Sequence, residues 1–424
     1  MMLTTELLII GAGPGGYRAA EYAAQQGLRM VIVEQDEVGG TCLNRGCIPT
    51  KTYVHSATFA EAVERQQQVV TQLRAGVEAI LAHPAITLLR GHASFVDAHT
   101  VSVGSDTISA KNIIIATGSK AKMLPLPDLD DPRLVTSTEL LQHTTLPRRL
   151  AVIGAGVIGM EFASVFRRFG SEVTVYEYLK ECLPMLDSDI AKRLRKLMEK
   201  QGVTFRMKTA VQSLSDIDAD VILMATGRQP NTDGLNIETV LPATVATTEG
   251  SHAAAPSLPT GALSVDDDCC IMPGLYAIGD VNGRQLLAHA AEMQAVRAVN
   301  HILGRTDGIR FDIMPAAIFT EPEAACVGPS EEQLKAAGTP YRCYKSFWRA
   351  NGKAQAMGAT DGMLKLFAAE GDGRLLGCHA FGAHAADIVQ EVSVLMCRDT
   401  TVGQLRDMIH IHPTLGEILA AAIS

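Results

Sequence analysis

The stretch ELLIIGAGPGG, which spans Glu6–Gly16, decides the first part of the fold. An alanine-rich segment with helical character follows it, and the apolar run Met30–Val33 then ends at Glu34. In this order of strand, G-x-G-x-x-G turn, helix, strand and acid, the glycines let the backbone approach a pyrophosphate and the acid can hold ribose hydroxyls. The motif in this context predicts a dinucleotide-binding βαβ unit.

The same pattern returns in the middle of the chain. The apolar run Leu150–Ile153 leads into a second G-x-G-x-x-G turn at Gly154–Gly159, and a later strand-like run ends before Glu177. Each unit closes in Ala-Thr-Gly, at residues 116–118 and 225–227. Two such units predict two bound dinucleotides, and an acid at position 177 without an adjacent arginine favours NAD over NADP at the second.

A cysteine pair lies between the two glycine turns, in the stretch GGTCLNRGCIPTK at Gly39–Lys51. Cys42 and Cys47 are five positions apart, which on a regular helix separates their α-carbons by roughly 8.6 Å, whereas a disulfide needs about 4.4–6.8 Å. If these cysteines pair, the backbone between them must be distorted, and Gly46 makes that distortion easier. A strained, accessible disulfide is a labile one of the catalytic kind.

Composition narrows the class of protein. The chain has 424 residues, of which 47% are hydrophobic and 5% aromatic, with 37 glycines; this is typical of an α/β enzyme with about two to four domains. The net charge of −9 argues against binding to nucleic acid or to an anionic membrane. The start of the chain does not have the pattern of a signal peptide, and no apolar run reaches membrane-spanning length. We therefore expect a cytoplasmic protein whose nine cysteines are mostly free thiols.

The order of these patterns predicts an α/β protein of three domains. We expect two Rossmann-like dinucleotide-binding domains, of which the first is discontinuous (residues 1–145 and 265–310) because an apolar run ending in an acid at 274–280 returns to it. Residues 146–264 form the second. Alternating apolar strands followed by helices predict a separate α+β domain at 311–424.

Together these motifs resemble those of the FAD- and NAD(P)-dependent disulfide oxidoreductases, and within them the dihydrolipoamide dehydrogenases. The matching pieces occur in the family's order along the whole chain and are Gly11–Gly16 with Glu34, Gly40–Lys51, Ala116–Gly118, Gly154–Gly159 with Glu161 and Glu177, Ala225–Asn231, Gly279–Asp280, and His412–Thr414 with Glu417. The resemblance implies that FAD binds to the first domain and NAD to the second, and that the third domain forms a homodimer. It also implies a lipoyl-bearing partner protein from a 2-oxo-acid dehydrogenase or glycine-cleavage system.

The resemblance assigns a catalytic role to six residues, which are Cys42, Cys47, His412, Glu417, Lys51 and Glu161. Cys47 would lie against the flavin and pass electrons to it, and Cys42 would exchange with the sulfurs of the substrate. His412 would be the base, because a thiol attacks only as a thiolate and an imidazole can take its proton near neutral pH. Glu417 would orient that imidazole and stabilise its charged form.

Further assignments concern the cofactors, and no metal is implied. Lys51 would lie near the flavin's reactive nitrogen and pair with Glu161. The residues implied for FAD are Gly11, Gly13, Gly16, Glu34, Thr41, Lys51, Ala93, Gly118, Asp280 and Ala288. The residues implied for NAD are Gly154, Gly156, Gly159, Glu177, Val211 and Gly227.

The chain departs from the family in three places. Between Lys208 and Asp220, about a dozen mostly polar residues replace the β-meander that the NAD domain of the family carries, and Val211 lies in this shortened segment. The segment Leu241–Gly261 is longer than usual. Gly416, in the predicted last helix Pro413–Ala422, is expected to loosen that helix by about 1 kcal/mol relative to alanine.

Other interpretations remain open at this stage. Taken alone, a C-x₄-C pair is more often two ordinary thiols, and His410 with His412 could bind a metal, although no third ligand is evident nearby. The alternative activities are those of a related NAD(P)H-dependent disulfide reductase or a mercuric reductase. A flavin-binding interaction protein with weak redox activity is an alternative of another class. The C-terminal Ala-Ala-Ile-Ser lacks a cysteine pair for mercury, and Glu177 disfavours NADPH.

Overall fold

The computed structural model describes residues 2–241 and 261–424. The predicted excursion between Leu241 and Gly261 therefore lies outside the described residues. Numbered in chain order, the strands are Met2–Ile10 (β1), Met30–Glu34 (β2), Ile86–Arg90 (β3), Ala93–Asp97 (β4), Thr100–Val103 (β5), Asp106–Ile115 (β6), Ser119–Ala121 (β7), Leu134–Val135 (β8), Arg149–Ile153 (β9), Glu172–Glu177 (β10), Thr204–Met207 (β11), Val221–Met224 (β12), Arg228–Pro230 (β13), Cys270–Met272 (β14), Leu275–Ala277 (β15), Ala316–Ile318 (β16), Ala324–Val327 (β17), Tyr341–Phe347 (β18), Met363–Ala369 (β19) and Leu375–Phe381 (β20). The helices are Pro14–Gln25 (α1), Gly40–Arg45 (α2), Cys47–Val54 (α3), Phe59–Leu81 (α4), Ser137–Leu140 (α5), Val157–Phe169 (α6), Ser188–Lys200 (α7), Ala288–Ile302 (α8), Glu331–Ala336 (α9), Gly352–Met357 (α10), Ala385–Cys397 (α11), Val402–Arg406 (α12) and Glu417–Ile423 (α13).

The chain divides into two compact units. The first comprises Met1–Ser56, Ala60–Lys122 and Gly227–Ile309, and the second comprises Ala57–Phe59, Met123–Thr226 and Arg310–Ser424. The chain thus returns to the first unit after the second glycine turn. The division into three domains with the bounds given above stays a prediction.

The first unit is built on a sheet with the strand order β14–β15–β6–β1–β2–β3, to which the β4–β5 hairpin is attached through β6. Strand β1 pairs in parallel with both β2 and β6. Leu7 and Ile9 belong to the apolar cluster on one face of this sheet, and Leu8 and Ile10 belong to the cluster on the other. A parallel strand covered on both faces needs the unbroken apolar run that the sequence shows.

The second unit contains two sheets. A parallel sheet of order β11–β10–β9–β12–β8 carries the second glycine turn, and an antiparallel sheet of order β16–β17–β20–β19–β18 lies in the C-terminal region. Two Rossmann-like βαβ patterns and a C-terminal α+β region were predicted, and this part of the fold prediction is confirmed. In the described part of the chain, no helix combines the length and apolar character needed to cross a bilayer.

The segment that replaces the meander is ordered by hydrogen bonds from one arginine. The guanidinium of Arg133 donates to the carbonyl oxygens of Leu214, Ile217 and Ala219 at 3.0, 2.8 and 3.3 Å. Leu214 and Ile217 are buried in the apolar cluster on one face of the parallel sheet. The short segment therefore contributes apolar cover to a sheet face despite its polar composition.

The last helix differs from its prediction. It begins at Glu417 rather than at Pro413, and Gly416 is its N-cap residue. Because Gly416 lies outside the helix interior, the predicted destabilisation of that helix by glycine was wrong. A local reason is that the Glu417 carboxylate accepts a 2.9 Å hydrogen bond from the backbone N–H of Thr414, which lies before the helix.

Candidate active site

The first glycine turn joins β1 to α1. Gly11 has a φ of +101°, and a Cβ there would lie 2.5 Å from the carbonyl oxygen of Ala116. A Cβ on Gly16 would lie 1.8 Å from the carbonyl oxygen of Gly11. Only glycine fits these positions without a backbone shift. The buried carboxylate of Glu34 accepts a 2.7 Å hydrogen bond from the backbone N–H of Ala12, which fixes the acid beside the turn.

The second glycine turn, between β9 and α6, repeats these contacts. Gly154 has a φ of +104°, and its Cβ would lie 2.5 Å from the carbonyl oxygen of Ala225. A Cβ on Gly159 would lie 2.0 Å from the carbonyl oxygen of Gly154. The buried carboxylate of Glu177 accepts a 2.6 Å hydrogen bond from the backbone N–H of Ala155. The chain therefore builds the same kind of turn twice.

The helices that follow the turns begin without a side-chain cap. Their N-cap residues are Gly13 for α1 and Gly156 for α6, and neither helix start receives a side-chain hydrogen bond at its cap. Such a start presents backbone N–H groups and the positive end of the helix dipole, which together attract a phosphate group. A Cβ on Gly156 would meet no protein atom within 4 Å. Both turns thus fit the pyrophosphate of a dinucleotide.

The cysteine stretch packs directly on the first glycine turn. Gly40 has a φ of +59°, and a Cβ there would lie 2.7 Å from the α-carbon of Gly13. Helices α2 and α3 end and begin on either side of Gly46, whose φ and ψ are −146° and −111°. A Cβ on Gly46 would lie 2.9 Å from the carbonyl oxygen of Thr41. This break is the backbone distortion that the cysteine spacing predicts.

Cys42 and Cys47 are both thiols here, and their side chains are hydrogen-bonded to each other. The hydrogen bond to Cys47, then burial, then the charge of Cys47 raise the pKa of Cys42, while the ammonium of Lys51 lowers it. The raised pKa keeps the Cys42 thiol protonated near neutral pH, with its side chain bound to that of Cys47. Cys47 carries the sulfur for which the sequence predicts contact with the flavin.

Asn44 and Tyr17 lie beside the dithiol, although no motif rule marks them. The amide of Asn44 donates hydrogen bonds of 2.9 Å to the carbonyl oxygens of both Val38 and Gly40, which holds the start of the cysteine stretch. Burial, followed by the interactions with Glu292 and Cys42, raises the pKa of Tyr17 to about 12. The phenol of Tyr17 is therefore a neutral neighbour of the dithiol at physiological pH.

Asp280 is held by a polar cluster that the sequence prediction missed. The Ser119 hydroxyl donates to the Asp280 carboxylate. Arg228 donates to the hydroxyl and the carbonyl oxygen of Ser119 at 2.7 and 2.6 Å, and its Nε lies 3.8 Å from Asp280. The pKa of Arg228 is lowered overall, because burial lowers it by more than the charges of Asp280 and Cys47 raise it. The only signal in the sequence was that Arg228 directly follows the second Ala-Thr-Gly.

Lys51 and Glu161 were predicted to pair. Lys51 lies in α3, in the first unit, and Glu161 lies in α6, in the second. Glu161 is only 4% exposed, and its carboxylate accepts a 2.9 Å hydrogen bond from the backbone N–H of Phe319. The pairing of the two residues stays a prediction.

His412 and Glu417 lie together, in the second unit. The Nδ1 atom of His412 is 2.9 Å from Oε1 of Glu417, and the imidazole is 80% exposed. The N–H of Thr414, followed by His412, lowers the pKa of Glu417. An ionised carboxylate bound to Nδ1 leaves Nε2 available to take a proton, which is the arrangement expected of a base and its orienting acid.

The other predicted cofactor residues lie at element ends or in loops: Thr41 in α2, Ala93 at the start of β4, Gly118 after β6 with a φ of +70°, Gly227 after β12 with a φ of +111°, Val211 between β11 and the 3₁₀ turn Leu214–Asp216, and Ala288 at the start of α8. Their cofactor contacts stay predictions. Within residues 2–241 and 261–424, no cluster of three or more His, Cys, Asp or Glu side chains is arranged to hold a metal ion.

Comparison with known proteins leads to one family. Residues 5–295 match the family described as pyridine nucleotide-disulphide oxidoreductase, and residues 314–423 match its dimerisation domain. The chain belongs to the pyridine nucleotide-disulphide oxidoreductase family. Members of this family bind FAD and NAD(P), and the two glycine turns described above fit two such dinucleotides.

Named relatives within the family differ in their functions. The mitochondrial dihydrolipoyl dehydrogenase of Pisum sativum is 34% identical, over 98% of this chain and 90% of that protein. The leghemoglobin reductase of Glycine max is also 34% identical, over 98% of this chain and 86% of that protein. The Cu(II) complex of the HOCl-induced flavoprotein disulfide reductase RclA from Escherichia coli has a TM-score of 0.90 and 30% identity, over 99% of both chains.

Proposed function

We propose that this protein is an NAD-dependent dihydrolipoamide dehydrogenase. The observation that carries the proposal is the hydrogen-bonded pair of Cys42 and Cys47 on the first glycine turn, in a chain that builds a second turn with an acid beside it. Dihydrolipoamide and NAD⁺ would become lipoamide, NADH and one proton. The two electrons would leave the dithiol of the substrate, pass through the Cys42–Cys47 pair and reach the nicotinamide.

His412 would begin the oxidation of the substrate. With Nδ1 bound to Glu417, Nε2 would take the proton from a substrate thiol. The resulting thiolate would attack Sγ of Cys42 in the oxidised pair, which breaks the Cys42–Cys47 bond and leaves the electron pair on Cys47. The second substrate sulfur would then displace Cys42 and close the lipoamide ring.

The protein would hold FAD at the first turn and NAD at the second. Gly11, Gly16 and Glu34 would position one dinucleotide, and the corresponding Gly154, Gly159 and Glu177 the other. FAD, when bound, supplies a carrier that accepts two electrons from a dithiol and donates a hydride to a nicotinamide.

We further propose a homodimer in which His412 and Glu417 serve the dithiol of the partner copy. The 80% exposure of the His412 side chain in a single chain supports this, since a partner copy would cover the imidazole and exclude water from the reacting groups. The substrate would be the lipoyl group of a separate protein. The free cysteines of the described chain suit a reducing cytoplasm.

The test is dihydrolipoamide-dependent reduction of NAD⁺ by variants of the two cysteines. Cys42→Ser and Cys47→Ser should each lower the rate by about a thousandfold or more, because serine cannot exchange with a disulfide. The exposed Cys397→Ser is the matched control and should act within about twofold of the original protein. Full activity in either active-site variant, with normal FAD content, would contradict the proposal.

A second candidate is an NADH- or NADPH-dependent disulfide reductase. One observation favours it: the flavoprotein disulfide reductase RclA matches this chain with a TM-score of 0.90 over 99% of both chains. The same dithiol would then run in the opposite direction, from nicotinamide to a disulfide substrate. Rapid oxidation of NADH or NADPH by a disulfide, together with no oxidation of dihydrolipoamide, would favour this candidate.

A further inference from the structure

A buried group of charges in the second unit has no part in the redox chemistry. The ammonium of Lys365 lies 2.8 and 2.7 Å from the two carboxylate oxygens of Asp187 and 2.5 Å from Oε2 of Glu331. The side chains of Lys365 and Asp187 are 2% and 0% exposed. Buried His379 accepts a 2.9 Å hydrogen bond at Nδ1 from the backbone N–H of Asp187. We call these four residues the Lys365 cluster.

Such a cluster contributes little net stability to a fold, because its charges must be removed from water. Removing charges from water costs several kcal/mol per ion, and well-packed apolar residues of similar volume are often equally good or better. Burial alone would lower the pKa of Lys365, but Asp187 and Glu331 outweigh it and the pKa is raised. Lys365 therefore stays charged, and its two short contacts to Asp187 fix the position of that residue closely.

Asp187 ends the loop that carries the chain away from the second glycine turn. It is the N-cap residue of α7 and accepts a 3.1 Å hydrogen bond from the backbone N–H of Asp189. Four residues earlier, buried Leu183 has a φ of +49°, and its N–H donates 3.0 Å to the carbonyl oxygen of Ala155. The N–H of Ala155 in turn donates to Glu177, where the loop begins.

The loop at 178–187 is thus fixed at three places. Its first end is Glu177, which binds the glycine turn through Ala155. At its middle, the backbone N–H of Leu183 donates to the carbonyl oxygen of Ala155. Its far end is Asp187, which is held by a lysine from β19 in the C-terminal sheet. A shift of Asp187 would act on Leu183 and so on Ala155, which lies between the two glycines at 154 and 156.

We propose that Lys365 is a positioning residue for the pyridine nucleotide: it holds Asp187 so that the 178–187 loop and the second glycine turn keep the geometry that binds the adenosine half. The inference rests on the proposed function only in that a pyridine nucleotide binds at this turn. It concerns affinity for the nucleotide and leaves the dithiol and the first turn unchanged.

The test is binding of ADP-ribose to the purified FAD-containing protein by isothermal titration calorimetry, since this probe cannot be reduced. Lys365→Met should weaken binding by roughly 3- to 30-fold, with unchanged FAD content and unchanged titration of the Cys42–Cys47 dithiol. Lys335→Met is the matched control, because Lys335 also pairs with Glu331, at 2.9 Å, but is 65% exposed. It should bind ADP-ribose within about twofold of the original protein.

A second variant covers the case in which Lys365→Met does not fold. Asp187→Asn retains an N-cap residue for α7 and leaves Lys365 paired with Glu331, but it removes the charge that Lys365 holds. It should weaken ADP-ribose binding about threefold or more and speed amide hydrogen exchange in residues 178–187. If folded variants bind ADP-ribose as the original protein does, the inference is wrong. If the original protein does not bind ADP-ribose, the proposed function fails instead.

Discussion

Gly156 and Gly159 belong to the same turn, yet the structure predicts that alanine at these positions will fail for different reasons. A Cβ on Gly159 would lie 2.0 Å from the carbonyl oxygen of Gly154. A Cβ on Gly156 would meet no protein atom within 4 Å, and the φ of −77° there is one that alanine adopts readily. Alanine at position 159 should therefore lower the stability of the protein, whereas alanine at position 156 should weaken only the binding of the ligand.

The magnitudes follow from these distances. An ordinary contact begins at 3.4 Å, so Gly159→Ala must separate the atoms by about 1.4 Å, and overpacking of this kind costs about 1–3 kcal/mol or more of unfolding free energy. Gly156→Ala should change the unfolding free energy by less than about 1 kcal/mol, because a small loss at the N-cap is offset by a stiffer unfolded chain. Its methyl group occupies the approach of a pyrophosphate, which should weaken binding by about tenfold or more.

Two assays separate the effects. Urea unfolding without pyridine nucleotide measures stability, and calorimetric titration with ADP-ribose measures affinity. The expected pattern is an unstable Gly159→Ala protein and a stable Gly156→Ala protein that binds poorly. The reasoning is refuted if Gly156→Ala binds ADP-ribose as well as the original protein, or if Gly159→Ala unfolds at the same urea concentration as the original protein.

Three further predictions concern the second unit. His412→Gln should lower dihydrolipoamide oxidation by about 10²–10⁴-fold, and Glu417→Gln should lower it less. Both variants should still oxidise NADH with an artificial electron acceptor. Equal loss of the two activities would count against a role of His412 in dithiol deprotonation. Burial lowers the pKa of His379 below its usual 6.5, so near pH 6 this imidazole takes up a proton only in the unfolded chain. Urea unfolding at a series of pH values should therefore show that the contribution of His379 to stability is complete above about pH 6.5 and falls below it. Lys335 and then Lys365 lower the pKa of Glu331 from 4.5 to about 2, so a separate loss of stability should begin below about pH 4.5. A free energy of unfolding that stays constant from pH 7 to 5 would contradict the contribution of His379. Arg133→Met should lower the unfolding free energy by about 1–3 kcal/mol, because it removes the side-chain donor from the carbonyl oxygens of Leu214, Ile217 and Ala219. Circular dichroism during thermal unfolding would reveal this, and an unchanged midpoint would show that Arg133 does not stabilise the replacement segment.

The sequence was most informative where local backbone geometry dictates residue type. The glycines at 11, 16, 154 and 159 are required by contacts of 2.5 Å or less to backbone oxygens, so their spacing, together with the flanking apolar runs and the acid that follows, predicted both βαβ units. A distortion between Cys42 and Cys47 was expected if the two cysteines pair, and the backbone is broken at Gly46 between them. Such features depend on neighbours in the chain, which a sequence displays directly.

The sequence was least informative where distant segments meet. The Arg228 cluster joins residues 119, 228 and 280, and the Lys365 cluster joins α7, α9 and two strands of the C-terminal sheet. No periodicity or motif spacing records such contacts, because they depend on how the chain returns to an earlier sheet or packs one sheet beside another. The start of the last helix was missed for a smaller reason. The Glu417 carboxylate accepts from the backbone N–H of Thr414 and the helix begins at Glu417, whereas a proline at the first helical position was expected.

The central claim is that electrons pass between Cys42–Cys47 and a nicotinamide, and one measurement tests it most directly. The purified protein is titrated without oxygen, first with dihydrolipoamide and separately with NADH, while its visible spectrum is recorded. The account predicts that two electrons from either donor produce a broad long-wavelength band from the Cys47 thiolate beside oxidised flavin, and that NAD⁺ reverses the band formed by dihydrolipoamide. Bleaching of the flavin by NADH without such a band would contradict the account, because the dithiol would then take no part in the transfer.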